Sequence, residues 1–303
     1  MIATTDYELL TAEAGLFERD GRAVLELEGA EAAEFLQGQV TNDVEALAAG
    51  EGCYAALLDH KGKLRTDMRV LRLAPDRLLV DAESVARAVL EHNFRTYSLG
   101  RAVQTRDLTG ERTVLSLIGP GARARLDIAP PEREHAFVES EHGLYVATDL
   151  GVDVIAQAQD AGAAREIAPA VSEEAVECVR IESGRPRLGH DMGSSTIPQE
   201  AGLNERAVSF SKGCYVGQET VARLYYRGKP NRHLRGLRLT EPATHGDPIA
   251  LGDKEVGSVG SACVSPALGP IALALVRREA APGDQVTVGG ASATVTELPF
   301  AKS

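Results

Sequence analysis

The sequence predicts an α+β fold with antiparallel sheets, followed by a small all-β domain. Three observations support this prediction. Strand and helix patterns alternate over roughly the first 100 residues, a comparable run covers residues 113–184, and short strand patterns separated by glycine and proline turns follow from about residue 231. A chain of 303 residues also exceeds what one hydrophobic core usually fills, so more than one packed unit is expected.

The first run contains a tight hairpin between two of its strands. Gly62 in "HKGK" permits the positive φ that such a turn needs. The helix pattern at 83–94 has an apolar side that should include Val85, Val89, Leu90 and Phe94. The other patterns of this run are the strands "AVLELEG", "CYAALLD", "KLRTDMRVLRLA" and "RLLVDA" and the helix "AEAAEFLQG".

The second run again contains strand patterns followed by a helix pattern, whereas the third contains short strand patterns separated by turns. Strand patterns occur in "TVLSLIG", "HAFVES", "LYVATD" and "VDVIAQA", before the helix "EEAVECVRIESG". After residue 231 the strand patterns are "KEVGSVGSACVS", "PIALALVRR", "DQVTVGG" and "SATVTEL". Such short strands between turns are typical of a small β-barrel or sandwich.

Charge and composition limit the classes of function. A formal net charge of −12 argues against broad nonspecific binding to nucleic acid, because phosphate neutralisation needs an excess of basic residues. Residues 212–238 are an exception, with seven lysines and arginines against Glu219 alone. This basic segment predicts a local site for a small polyanion or a short stretch of phosphate backbone, or else a solvated face that balances acidic neighbours.

The N-terminal residues "MIATTDYELL" lack the positive charge and long apolar run of a signal peptide, and the longest strongly apolar stretch is "IALALV", so we expect a soluble, cytoplasmic protein without membrane contact. The four cysteines are too few for a disulfide scaffold and show no C-x-x-C spacing, so no metal site is expected. Cys53, Cys178 and Cys263 lie among apolar neighbours, which indicates core packing.

The fourth cysteine lies in "SFSKGCYVGQETVARLYYRG", residues 209–228. A helix starting near "GQET" would place Cys214 just before a helix N-terminus and close to Lys212, and both features favour a thiolate. Val221, Leu224 and Tyr225 would then share the inner helix face. The local sequence leaves a second interpretation open, a buried cysteine at a tight strand-to-helix turn.

Two further segments carry candidate polar residues. The stretch 182–205 is rich in charged residues for a linker, and Glu200 within it could accept two hydrogen bonds from a 2-amino-pyrimidinone edge such as that of a pterin. Asp67 follows the first hairpin together with other charged residues, and taken alone this group is an ordinary charged turn.

The signature "KGCYVGQE" (212–219) resembles that of the YgfZ-like folate-binding proteins, which are relatives of the glycine cleavage T-protein and of a mitochondrial protein that assists late iron–sulfur cluster assembly. The resemblance extends over nearly the whole chain. Further blocks occur in the expected order: "FLQGQVTNDV", "KGKLRTDMRVLR", "RIESGRPRLGHD", "IPQEAGLN" and "GKPNRHLRGL".

The resemblance implies a three-lobed T-protein-like fold. Residues 1–230 would form two α+β lobes, whose chain segments can interleave, and residues 231–303 a C-terminal β-barrel. It also implies that tetrahydrofolate or a derivative binds in a central channel, with Glu200 on the pterin ring and the basic stretch from Arg223 near the glutamate tail. The implied folate-binding set is completed by Tyr215, Gln218 and Glu219.

The resemblance further implies Cys214, Lys212 and Asp67 as the reactive residues. Aminomethyltransferases have two consecutive aspartates after the hairpin, whereas this chain has Thr66 and Asp67. The signature thus favours a folate-binding accessory protein for iron–sulfur cluster assembly or repair, with client or assembly proteins as partners. The alternatives are a folate-dependent aminomethyltransferase or demethylase, an enzyme for which Asp67 would act at the reacting nitrogen, and a tRNA-modification factor that uses the basic segment.

Overall fold

The structure is a computed structural model that describes residues 4–300. The chain packs into two compact units. Among the described residues, unit 1 contains 4–7, 172–203 and 219–300, and unit 2 contains 8–171 and 204–218. The strands of the C-terminal barrel therefore belong to the same compact unit as two earlier segments of the chain. Within residues 4–300, no helix combines the length and apolarity needed to span a membrane.

The α-helices are α1 (Thr4–Ala12), α2 (Ala32–Gln39), α3 (Arg87–Tyr97), α4 (Gly162–Arg165), α5 (Glu173–Glu182), α6 (Asn204–Ala207) and α7 (Gln218–Arg227). The strands of unit 2 are β1 (Gly15–Arg19), β2 (Ala23–Glu28), β3 (Gly52–Leu58), β4 (Leu64–Ala74), β5 (Arg77–Ala82), β6 (Gln104–Asp107), β7 (Arg112–Ile118), β8 (Phe137–Ser140), β9 (Gly143–Ala147) and β10 (Gly151–Gln157). Those of unit 1 are β11 (Arg232–Leu239), β12 (Pro248–Leu251), β13 (Lys254–Ser265), β14 (Gly269–Arg277), β15 (Gln285–Val288) and β16 (Ala291–Thr296).

Unit 2 contains two five-stranded antiparallel sheets, in the orders β3-β4-β5-β2-β6 and β1-β7-β10-β9-β8. Apolar side chains from both sheets form one buried cluster: Val24, Leu71 and Leu79 come from the first sheet, and Val114 and Ile155 from the second. The chain segments interleave, because β1 from the N-terminal run pairs with β7 in the second sheet.

Unit 1 contains a closed six-stranded barrel in the order β11-β14-β13-β12-β15-β16. Strand β11 closes it by pairing with both β14 and β16. On β11, β14 and β16, every second side chain points into the barrel core, as a period of two requires. Leu237 of β11, Ala272 of β14 and Val295 of β16 are examples. The predicted α+β class with antiparallel sheets and a C-terminal barrel is confirmed, and the barrel alternative is the correct one.

Two details of the helix predictions are wrong. Val85 is 61% exposed, because Ser84–Ala86 form a short 3₁₀ turn and α3 begins only at Arg87, which shifts the buried face. In α7, Val221 is buried as expected, but Tyr225 is 49% exposed.

Candidate functional site

The signature segment is anchored in unit 2 by the side chain of Lys212. Its ammonium group donates to the carbonyl oxygens of Gln37 at 2.5 Å, Val40 at 2.8 Å and Asn42 at 3.0 Å. An ammonium group has three N–H donors, so all of them are used. Burial lowers the pKa of Lys212 to about 8. The sequence predicts that Lys212 acts on Cys214, but its donors bind backbone carbonyls instead, which gives the lysine an anchoring role.

Cys214 is exposed, whereas Cys53 and Cys178 are buried and Cys263 is half-buried, and all four are free thiols. Cys214 lies four residues before α7, so the alternative of a buried structural cysteine is wrong. The turn between them depends on Gly217, with φ of +84°. A Cβ atom at Gly217 would lie 2.5 Å from the carbonyl oxygen of Asp59, closer than any side chain tolerates. The loop therefore holds an exposed thiol on a constrained backbone.

Tyr215 and Gln218 belong to the same anchored segment. The Tyr215 ring is buried, its centroid lies 5.1 Å from Lys212 Nζ, and burial raises its pKa to about 12. The backbone N–H of Gln218 donates to the carbonyl oxygen of Tyr215 at 3.3 Å. The Tyr215 ring thus packs inward against the buried Lys212 side chain.

Asp67 is a second polar site in unit 2. Its carboxylate is buried, and Tyr54 donates its hydroxyl hydrogen to Oδ2. The other oxygen, Oδ1, is buried and finds no donor among residues 4–300. Burial raises the pKa of Asp67, although the bond from Tyr54 acts in the opposite direction. Asp67 is therefore not part of an ordinary charged turn; it presents one unsatisfied acceptor inside the protein.

Three side chains close to Asp67 are not predicted from the sequence: Tyr54, His135 and Arg206. The Arg206 guanidinium lies 5.4 Å from the centre of the Tyr54 ring and pairs with Glu134. The His135 ring centre lies 6.4 Å from that of Tyr54, and burial lowers the pKa of His135 to about 3, so the imidazole is neutral. Tyr54 could have been found, because the β3–β4 register places it diagonally opposite Asp67. Nothing in the local sequence connects His135 or Arg206 to this position.

Glu200 lies in unit 1 and is already paired. Arg232 donates from Nε to Oε1 at 3.1 Å and from Nη2 to Oε2 at 2.8 Å, and the Ile197 N–H donates to Oε2 at 3.2 Å. Arg232 also donates to the carbonyl oxygen of Ser195. The buried Glu200 carboxylate therefore has a bidentate arginine partner at the position where the family resemblance implies a pterin.

The predicted site residues fall into the two units. Unit 2 contains Asp67, Lys212, Cys214, Tyr215 and Gln218, and unit 1 contains Glu200, Glu219 and Arg223. The anchored signature segment thus belongs to the same unit as the Asp67 site.

Comparisons with known proteins agree with this fold and signature. Residues 2–136 match the GCVT N-terminal domain, and residues 232–302 match the glycine cleavage T-protein C-terminal barrel domain. The chain is 28% identical over 236 residues to the tRNA-modifying protein YgfZ of Yersinia enterocolitica, covering 73% of this chain and 70% of that protein. This chain is a YgfZ-like member of the glycine cleavage T-protein superfamily.

Other members of the superfamily match over more of the chain. An aminomethyltransferase of a Synechococcus species is 27% identical over 94% of this chain and 87% of its own length. The crystal structure of the glycine cleavage system aminomethyltransferase T from Bartonella henselae superposes with a TM-score of 0.86 at 23% identity, covering 98% of this chain and 89% of that one. The YgfZ-like chain therefore has the fold of the aminomethyltransferases together with the "KGCYVGQE" segment at 212–219.

Proposed function

We propose that this YgfZ-like chain binds a reduced folate and supports iron–sulfur cluster assembly or repair through the thiol of Cys214. The observation that carries the proposal is the contrast within the signature. The Lys212 side chain is buried and loses its hydration, and its three hydrogen bonds hold a loop on which the Cys214 thiol is exposed. An exposed thiol on a fixed loop can be reached by a partner protein or an iron–sulfur cluster, whereas a cysteine buried in the core cannot.

The residues present fit a folate at Asp67 directly and at Glu200 conditionally. The buried Oδ1 of Asp67 lacks a donor among the described residues and would accept a hydrogen bond from a ligand N–H. The Glu200 carboxylate already accepts three bonds, which leaves one of its four lone pairs, whereas a pterin edge would bring two donors. Glu200 would therefore hold a pterin only after Arg232 releases one of its hydrogen bonds. The Arg232 side chain is 31% exposed, so it has room to move. Tetrahydrofolate, when bound, supplies nitrogen atoms that carry one-carbon units.

Calorimetric titration with tetrahydrofolate and 5-formyltetrahydrofolate tests the folate part. We expect binding by wild type, with at least a tenfold loss of affinity in Glu200→Gln and in Asp67→Asn. Glu241→Gln, at an exposed acid of the same unit as Glu200, serves as the matched control and should bind like wild type. Absence of binding by folded wild type to either compound would refute this part of the proposal.

Complementation tests the cysteine part. In cells that lack their own YgfZ-like gene, wild type should restore the activity of iron–sulfur enzymes and Cys214→Ser should not. Cys53→Ala changes a buried thiol of the same unit and should complement like wild type. If Cys214→Ser complements fully at equal protein levels, Cys214 has no such role.

A second candidate function is RNA binding through α7. Tyr226 is 66% exposed and Tyr225 49%, and they lie on one helix with the exposed Arg223 and Arg227. Exposed aromatic rings beside arginines suit stacking with unpaired bases and contact with phosphates. tRNA binding should weaken with salt and should fall in Tyr226→Ala but not in Tyr97→Ala, an exposed tyrosine on another helix. A salt slope near zero would exclude direct phosphate contact.

A further inference from the structure

Two thiols in unit 1 lie outside the signature segment. Cys178 on α5 is fully buried, and its Sγ lies 3.6 Å from Glu182 Oε1. Cys263 on β13 is half-buried and packs against the apolar cluster that contains Ile181, three residues after Cys178 on the same helix. The cluster thus places Cys263 beside α5, the helix that carries Cys178, although the two cysteines are far apart in sequence.

The register between α5 and β13 places the two thiols opposite each other. Ser265 Oγ donates to Glu182 Oε1 at 2.5 Å, which aligns one point of the strand with one point of the helix. Cys178 lies four residues before Glu182, about 6 Å along a helix, and Cys263 lies two residues before Ser265, about 6.6 Å along a strand. Arg180 Nη2 donates to Ser261 Oγ at 2.6 Å, so residues that come earlier on the helix also contact residues that come earlier on the strand, and these similar steps bring Cys263 close to Cys178. Consistent with this, contact with Cys263 and burial raise the pKa of the Cys178 thiol.

Glu182 supplies a proton acceptor at this position. Its buried carboxylate accepts hydrogen bonds from Tyr7 Oη at 2.9 and 3.1 Å, from Ser265 and from the Cys178 thiol. Because the carboxylate already touches the thiol, a proton can pass from Cys178 to Glu182 without rearrangement. The pair therefore combines facing thiols, a base in contact with one of them, and partial exposure of the other.

We propose that Cys178 and Cys263 form a redox-sensitive dithiol that closes to a disulfide under oxidation by a hydroperoxide. The half-buried Cys263 thiol loses its proton to solvent, and its sulfur attacks a peroxide oxygen. The O–O bond breaks to give a sulfenic acid and a hydroxide, which takes a proton from solvent and forms the first water. Cys178 then attacks the Cys263 sulfur, its proton passes through Glu182 to the leaving hydroxide, and water departs. In total, two thiols and one hydrogen peroxide give one disulfide and two waters.

The disulfide would covalently join α5 to the barrel. The closed loop runs from residue 178 to 263 and includes Glu200 and Arg232. Closing so long a loop restricts the unfolded chain strongly, so the oxidised protein should unfold at a higher temperature than the reduced protein. This proposal is independent of folate binding and of Cys214.

Peptide mapping after oxidation of the full chain tests the proposal. Wild type and the Cys53→Ala control are treated with a small excess of hydrogen peroxide, alkylated under denaturing conditions and digested without reduction. We expect a Cys178–Cys263 linked peptide, lighter than the two reduced peptides by two hydrogen atoms, that dithiothreitol cleaves. Cys178→Ala and Cys263→Ala should abolish it, and the melting temperature of wild type should rise on oxidation while theirs does not.

Two results would overturn the proposal. One is full alkylation of Cys178 after an oxidation that has modified Cys214, and the other is a disulfide that joins Cys263 to any other cysteine. If Cys178→Ala fails to fold, the linked wild-type peptide and its loss in Cys263→Ala still decide the question.

Discussion

Lys212 and Cys214 are two residues apart, yet the ammonium group of the first is buried among three backbone carbonyls and the thiol of the second is exposed. Lys212 fixes the loop to the segment around residues 37–42, and the Cys214 thiol on the same loop is accessible to solvent. Lys212 thus anchors the loop, and Cys214 leaves its thiol accessible to solvent. Substitutions at the two positions should therefore have separable effects on stability and on thiol chemistry.

Lys212→Met should lower the free energy of unfolding by about 2–4 kcal/mol, because it leaves three carbonyl oxygens without their donor. Urea denaturation of the purified variant measures this difference. Lys61→Met, at an exposed lysine of the same unit, should change the free energy of unfolding by less than about 0.5 kcal/mol. Equal effects of the two substitutions would show that the three hydrogen bonds contribute little.

The exposed Cys214 should react with a maleimide first among the four cysteines. In native protein we expect one rapidly labelled thiol, slower labelling of the half-buried Cys263, and protection of Cys53 and Cys178 until the protein unfolds. Mass spectrometry of digests over a time course identifies each site. Cys214→Ser should remove the fast phase alone, and a fast phase that persists in this variant would contradict the assignment.

Gly217→Ala and Gly213→Ala form a matched pair within the signature. At Gly217 an added Cβ meets the Asp59 carbonyl oxygen and φ is positive, so we expect a loss of about 2–4 kcal/mol in stability. At Gly213 nothing lies within 4 Å of an added Cβ, so the loss should stay below about 1 kcal/mol. Thermal and urea unfolding compare the two variants directly.

Asp67→Asn should stabilise the protein in a pH-dependent manner. Burial raises the folded-state pKa of Asp67 above its ordinary 3.8, so ionisation of this carboxyl opposes folding. The advantage of the variant should be small below pH 4, grow as the pH rises through the folded pKa, and then level off. Asp253→Asn, at an exposed aspartate, is the control for the same chemical change. A constant difference between wild type and Asp67→Asn at all pH values would refute the ionisation argument.

Much of the local architecture follows from sequence patterns alone. The hairpin of β3 and β4, the helices α2 and α5 and the barrel strands β13, β14, β15 and β16 lie where period-two and helical patterns predict them, whereas β11 and β12 are not predicted. Those patterns miss strand β1, because a five-residue strand offers too few alternations and is defined by its pairing with β7. They also predict burial for Tyr225 and Val85, which are exposed, since periodicity identifies a stripe and packing decides which part of it is covered.

The sequence by itself determined the class of fold, the order of the elements and the identity of the signature that carries Cys214. The tertiary structure alone decided the partners of the polar groups. Lys212 bonds to carbonyls about 170 residues away, Glu200 pairs with Arg232, and Cys263 packs beside the helix that carries Cys178. Local patterns record which face of an element is buried, because that depends on the residue spacing. Local patterns do not predict which distant group contacts that face, because this depends on how whole helices and strands pack together.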